Sequence, residues 1–181
     1  MIKDSLADYP LFIKNSYIMK KPSKIKCVSA KKAWFLFSGF VAITLFGVVY
    51  CKSQSRVDEI NKSENIDSQL ESHETIHVRQ AESTKDSWLL YYLKYIWQWI
   101  INFPLIFVNT YAPYKFMPFE LEAYANQDDW SYCLGKCENW KVYKKLTLKQ
   151  KRQFAKDYYN CPIRPYFTIF IKDNINPVLG L

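Results

Sequence analysis

Two long apolar runs separated by a polar stretch dominate this chain. The first, Ala33 to Cys51 (AWFLFSGFVAITLFGVVYC), carries no charge and is bracketed by Lys32 and Lys52. A helix of that length reaches about 29 Å, close to the roughly 30 Å of a bilayer's hydrocarbon core. Backbone groups at that depth must be satisfied within the segment. The pattern therefore predicts a transmembrane helix over 33–51, with Trp34 and Tyr50 at headgroup level and Ser38, Gly39, Ala42 and Gly47 available for close helix contact.

The second run, WLLYYLKYIWQWIINFPLIFVNT, fills 88–111 up to Tyr111. Lys94, Gln98 and Asn102 recur every fourth residue and form one polar stripe on an otherwise aromatic and aliphatic helix. Two arrangements fit. Either the segment spans, with Lys94 snorkelling, or it lies in the membrane interface and ends at the kink that Pro104 imposes. The charge distribution favours the span. Residues 1–32 and 112–181 are both basic, whereas 52–87 is acidic, and basic loops stay on the inner side. A two-span hairpin puts both basic ends inside and the acidic loop outside.

Outside these runs the chain divides into a basic N-terminal extension (1–32), a polar acidic loop (52–87) and a basic, aromatic-rich C-terminal region (112–181). The loop's apolar residues are too sparse for a core of their own, so it reads as a solvent-facing tether with some helix. In the C-terminal region Thr147 and Gln150 form a capping-box pattern that opens a helix over 148–159, closed before Cys161-Pro162. Residues 166–171 (YFTIFI) have strand composition and predict an extended segment. The expected fold class is a mainly α-helical membrane protein. It has one transmembrane helix, a second transmembrane or interfacial helix, and a small, partly extended C-terminal region.

Composition narrows the function. Only 4 glycines are present, and no G-x-G-x-x-G or G-x-x-x-x-G-K-[ST] loop occurs, which argues against nucleotide binding. The first apolar run starts too far from Met1 for a cleaved secretory signal. The net charge of +8 is concentrated around Lys136, Lys141, Lys144, Lys145, Lys149, Lys151, Arg152 and Lys156. Beside a membrane anchor, such a cluster suits anionic lipid headgroups or an acidic partner better than nucleic acid.

Candidate chemistry is confined to a few residues. His73-Glu74-Thr75-Ile76-His77 is an H-E-x-x-H pattern: on a helix both imidazoles share a face for zinc, and the glutamate can act as general base. Both histidines of the chain lie in it. Against it, no ligand follows at the metzincin spacing, Glu82 stands at an arbitrary distance, and a short polar loop cannot build a cleft. The expectation is solvated loop histidines, with no catalytic, cofactor or metal residue assigned. Cys133, Cys137 and Cys161 supply only three thiols for a structural zinc and read as free thiols. Glu120, Glu122, Asp128 and Asp129 are carboxylates available for acid–base work, but acidic residues near an interface need no such role.

With one or two spans, no cleft and sticky aromatic ends, the chain is similar in kind to supernumerary subunits of mitochondrial respiratory or ATP-synthase complexes. That resemblance of composition implies a non-catalytic accessory subunit of a large membrane complex in the mitochondrial inner membrane, without cofactor, whose partners are other subunits and anionic lipid. The alternatives are a bacterial inner-membrane component of a secretion or envelope complex, and a membrane-anchored zinc metallopeptidase using His73-Glu74-x-x-His77.

Overall fold

A computed structural model describes residues 24–27, 42–62, 68–85 and 87–181. Three short strands, β1 (Lys24–Cys27), β2 (Ala42–Leu45) and β3 (Val48–Cys51), form a sheet in the order β1-β3-β2. β1 runs parallel to β3, and β2 antiparallel to it with Leu45 opposite Val48. The turn between β2 and β3 is two residues long. Phe46 (φ 49°) and Gly47 (φ 73°) are both left-handed, the backbone that matches the twist of a tight hairpin. Glycine adopts it freely, whereas Phe46 must be held there. Its N–H donates to the Tyr92 hydroxyl at 2.8 Å, and its ring packs edge-on against Tyr92 at 5.2 Å.

This hairpin corrects the first expectation. Residues 42–51, the C-terminal half of the expected transmembrane helix, are strand and turn; residues 33–41 lie outside the described residues. β-branched Ile43, Thr44, Val48 and Val49 around a Gly turn have a strand reading that the unbroken apolar run concealed. The second run is corrected as well. It forms α3 (Trp88–Asn102), 15 residues long, and then a 3-10 turn, Phe103–Phe107, with Pro104 in its first positions. Among the described residues no helix is long and apolar enough to cross a membrane. Among the described residues, therefore, no spanning helix supports an integral location in the mitochondrial or bacterial inner membrane.

The acidic stretch 52–87 is also not a solvated tether. It holds α1 (Gln54–Asn61) and α2 (Gln69–Ser83). Ser68 caps α2 by accepting the Glu71 N–H, and nine residues of α2 are buried. The remainder is helical: α4 (Ala112–Lys115), α5 (Pro118–Asn126), a 3-10 turn over Trp130–Leu134, α6 (Trp140–Tyr143) and α7 (Leu148–Tyr159). The expected capping box is present at the start of α7. Residues 166–171 depart from expectation. They open α8 (Phe167–Phe170), which runs through a π turn (Ile171–Ile175) into α9 (Asn176–Leu179). Phe167, Phe170, Ile171 and Ile175 all reach the main core beside Phe116, Leu121 and Tyr158. Tertiary burial of a helical face has overridden strand propensity there.

α5 is the central element. It packs on α2 on one side and on α6 and α8 on others, so its first turn lies against the middle of α2, under the edge of β2.

Candidate functional site

α2 carries His73 and His77 one turn apart, hence on one face. Across from them, Glu120 projects from the first turn of α5, which Pro118 opens. His73, His77 and Glu120 are all buried. The two Nε2 atoms stand 3.2 Å apart. Glu120 Oε2 lies 3.4 Å from His73 Nε2, and Oε1 lies 3.2 Å from His77 Nε2. Zinc with bonds of about 2.0–2.1 Å in tetrahedral geometry separates its ligands by roughly 3.3 Å. The two imidazole nitrogens and the two carboxylate oxygens that face them stand at spacings close to those between neighbouring ligands of such a tetrahedron.

The surroundings fix the orientation this requires. His77 Nδ1 meets Gln80 Oε1 at 2.8 Å, and His73 Nδ1 meets Gln127 Oε1 at 3.2 Å. An amide oxygen only accepts, so each imidazole carries a proton on Nδ1 and turns its Nε2 toward the shared centre. The glutamines are held in turn. Gln80 Nε2 donates to the Phe119 carbonyl and to Glu122, and Gln127 Nε2 donates to Tyr166 and Thr168. This is the outer support a metal-binding histidine needs.

The charges agree. Burial works against ionisation of Glu120, yet the facing His77 and His73 hold its carboxyl well below the usual range. Burial likewise disfavours a charged His77, but Glu120 and Glu74 outweigh it and raise the imidazole to about 9, so without a metal its Nε2 carries a proton toward Glu120 that a bound cation would displace. Tyr95 donates to Glu120 Oε1 at 2.8 Å, and the imidazoles of His73 and His77 face its two oxygens. A buried carboxylate facing two buried imidazole nitrogens could hold a divalent cation.

Glu74 lies next to this centre with its carboxylate pinned by β2: Thr44 Oγ1 donates to Oε2 at 2.5 Å. Glu74, His77 and Glu120 line a cavity of about 170 Å³ with the four residues of β2 and Tyr91, Tyr92, Tyr95 and Tyr114. An apolar cavity of roughly 150 Å³ takes a benzene ring, so this one has room for a single aromatic or branched side chain. Burial and the Glu120 charge push the Tyr95 and Tyr114 hydroxyls far above their usual range, which keeps them protonated as donors.

The site thus gathers His73, Glu74 and His77 as the motif anticipates and adds Glu120, which sequence reasoning placed only among generic carboxylates. A third candidate ligand, absent at the expected spacing after His77, stands on a distant helix. A signal existed in Pro118-Phe119-Glu120-Leu121-Glu122-Ala123, where carboxylates are set inside an apolar helix start. Glu82 takes no part; it pairs with Arg79 at the surface. Cys133 and Cys137 are buried free thiols and Cys161 is a half-buried one, none of them in the cluster. Neither a family model, a curated protein nor a solved structure matches this chain; the site is read from its own geometry.

Proposed function

We propose that this chain is a metal-dependent peptidase, with His73, His77 and Glu120 holding a zinc ion and Glu74 acting as general base. The observation that carries the reading is the triangle of two imidazole nitrogens and one carboxylate at 3.2–3.4 Å, adjacent to the motif's glutamate. On sequence alone the motif wants a third ligand and a cleft; Glu120 and the cavity beside β2 support the reading on both counts. Zinc in such a set polarises a carbonyl and acidifies water.

The chain's own residues divide the remaining work. Glu74 takes a proton from the attacking water as its oxygen bonds to the scissile carbonyl carbon, and delivers that proton to the amine nitrogen as the C–N bond breaks. Thr44 occupies one carboxylate oxygen and leaves the other to face the reactants. Among the described residues β2 is the outer strand of its sheet, and this edge beside the cavity, where the Thr44 carbonyl accepts the Tyr92 hydroxyl, suits an extended peptide added as a further strand. Tyr91, Tyr92, Tyr95 and Tyr114 shape the apolar pocket for one side chain and exclude water.

The test joins composition to rate. Purified protein should carry one zinc per chain, lost in His73→Ala/His77→Ala, and should cleave members of a quenched-fluorescence peptide library with large apolar residues at the cut. Glu74→Gln should retain zinc while the rate falls about 10²–10⁴-fold. Undiminished cleavage by Glu74→Gln, or equal zinc in the double-alanine variant, would refute the assignment.

A further inference from the structure

α3 is built inside out. Its polar Gln98 and Asn102 are buried: Gln98 accepts the Phe119 N–H, and Asn102 donates to the Pro113 carbonyl and accepts from Lys151 Nζ. Its opposite face exposes Leu89, Leu93, Ile96, Trp97, Ile100 and Phe103, with Trp97 60% and Phe107, at the end of the following 3-10 turn, 84% exposed. A water-facing helix shows the reverse arrangement. At about 100° per residue, the exposed apolar arc runs from Trp99 round to Ile101 and covers roughly 200° of the circumference.

The width of the arc and the charges beside it say what covers it. A single partner helix needs only a narrow seam, two positions in seven, whereas a planar apolar phase meets half a helix. The tryptophans stand toward the margins of the arc, where an interface favours their amphipathic rings. No acidic residue occurs between Asp86 and Glu120. Lys94 lies at the edge of the arc, its ammonium 5.0 Å from the centre of the Trp140 ring. Burial, and then the charges of Lys144, Lys141 and Lys85, push it below its ordinary value. Of these neighbours Lys141 pairs with Glu138.

We propose that the outward face of α3 and its 3-10 extension is a docking surface for an anionic lipid bilayer, on which the protein lies with α3 parallel to the membrane plane. A helix in that position needs no spanning length, so the surface is compatible with the absence of a crossing helix among the described residues. The lysines around Lys94 add attraction to acidic headgroups, each near the surface contributing about fivefold in partitioning. The inner face of the same helix contributes Tyr91 and Tyr95 to the metal-site cavity, which brings that cavity to the membrane surface. Lipid docking through this face is independent of peptidase activity.

The test uses the full chain with phosphatidylcholine vesicles made with and without phosphatidylserine. Flotation should require phosphatidylserine, weaken with salt, and fall at least tenfold in Leu93→Glu/Trp97→Glu/Ile100→Glu. Brominated lipid reports on wild-type protein without a folding risk: it should quench tryptophan emission, and Trp97→Phe/Trp99→Phe should lose most of that quenching. Several outcomes overturn the proposal: no flotation with anionic vesicles, unchanged flotation of the triple variant, or undiminished quenching in the Phe variant. So does a dimer in the absence of lipid that the triple variant abolishes, because a second copy would then cover the face.

Discussion

Glu120 is the residue on which the metal reading stands or falls, and Glu120→Gln removes one ligand charge with little change of shape. A ligand bound only by the folded state stabilises it by RT ln(1 + [L]/Kd), about 4.1 kcal/mol at a thousandfold excess over Kd. For a chain of this size, each kcal/mol raises the melting temperature by about 2–4 °C, so buffered zinc at that excess should add about 8–16 °C. Loss of a supporting residue one layer out already costs about 10–100-fold in affinity, and loss of one of three ligands costs at least the upper figure. A hundredfold weaker site at the same zinc retains about 1.4 kcal/mol, a shift of only about 3–6 °C. The assay is thermal unfolding followed by circular dichroism, in chelator and in a zinc buffer, for both proteins. If Glu120→Gln responds to zinc as the wild type does, Glu120 is not a ligand. If the wild type shows no response, the triangle of donors does not bind zinc.

Three further outcomes follow from individual contacts. Gln127→Leu removes the partner of His73 Nδ1 and should weaken zinc about 10–100-fold in a competition titration, with secondary structure intact. Thr44→Val deletes the hydroxyl that pins Glu74; zinc content should hold while kcat falls more than KM changes, whereas unaltered kcat would show that Glu74 needs no anchor. Lys151 supplies a pH signature away from the site. Its ammonium is buried against Asn102, and burial lowers it from 10.5 to about 8. Below pH 8 the lysine is charged in both states and the folded chain carries the whole penalty. Between 8 and 10.5 the unfolded chain binds more protons, so stability rises with pH by up to roughly 3 kcal/mol. Urea unfolding across that range should show a rise that Lys151→Met lacks; equal slopes in the two proteins would refute it.

What could be read from the chain depended on how local its cause was. The capping box of α7 is local: Thr147 and Gln150 satisfy each other's backbone within one turn, so its residues suffice. The start of α2 was equally local, since Ser68 and Glu71 stand in the same spacing, but its polar composition hid a buried helix. The β2–β3 hairpin was masked by hydrophobicity averaged over a long window, although Phe46-Gly47 between β-branched residues marks a turn. The segment 166–171 became helix because its apolar residues fill space among α5, α7 and the Phe116 region, a cause spread across the chain.

The metal triangle belongs to this last kind, and its cost identifies it as more than packing. α2 buries Glu71, Ser72, His73, Glu74, Thr75, His77 and Gln80, an interior that apolar side chains would fill with less desolvation. Such a helix persists only if its polar groups satisfy one another or serve a purpose that apolar residues cannot. Much of the set is satisfied: Gln80 bridges His77, Phe119 and Glu122, and Thr44 meets Glu74. Glu120 stands at the centre, its two oxygens each facing one imidazole Nε2. A buried carboxylate between two imidazoles whose outer nitrogens are fixed by glutamines is an arrangement that a divalent cation would suit and that apolar side chains could not supply.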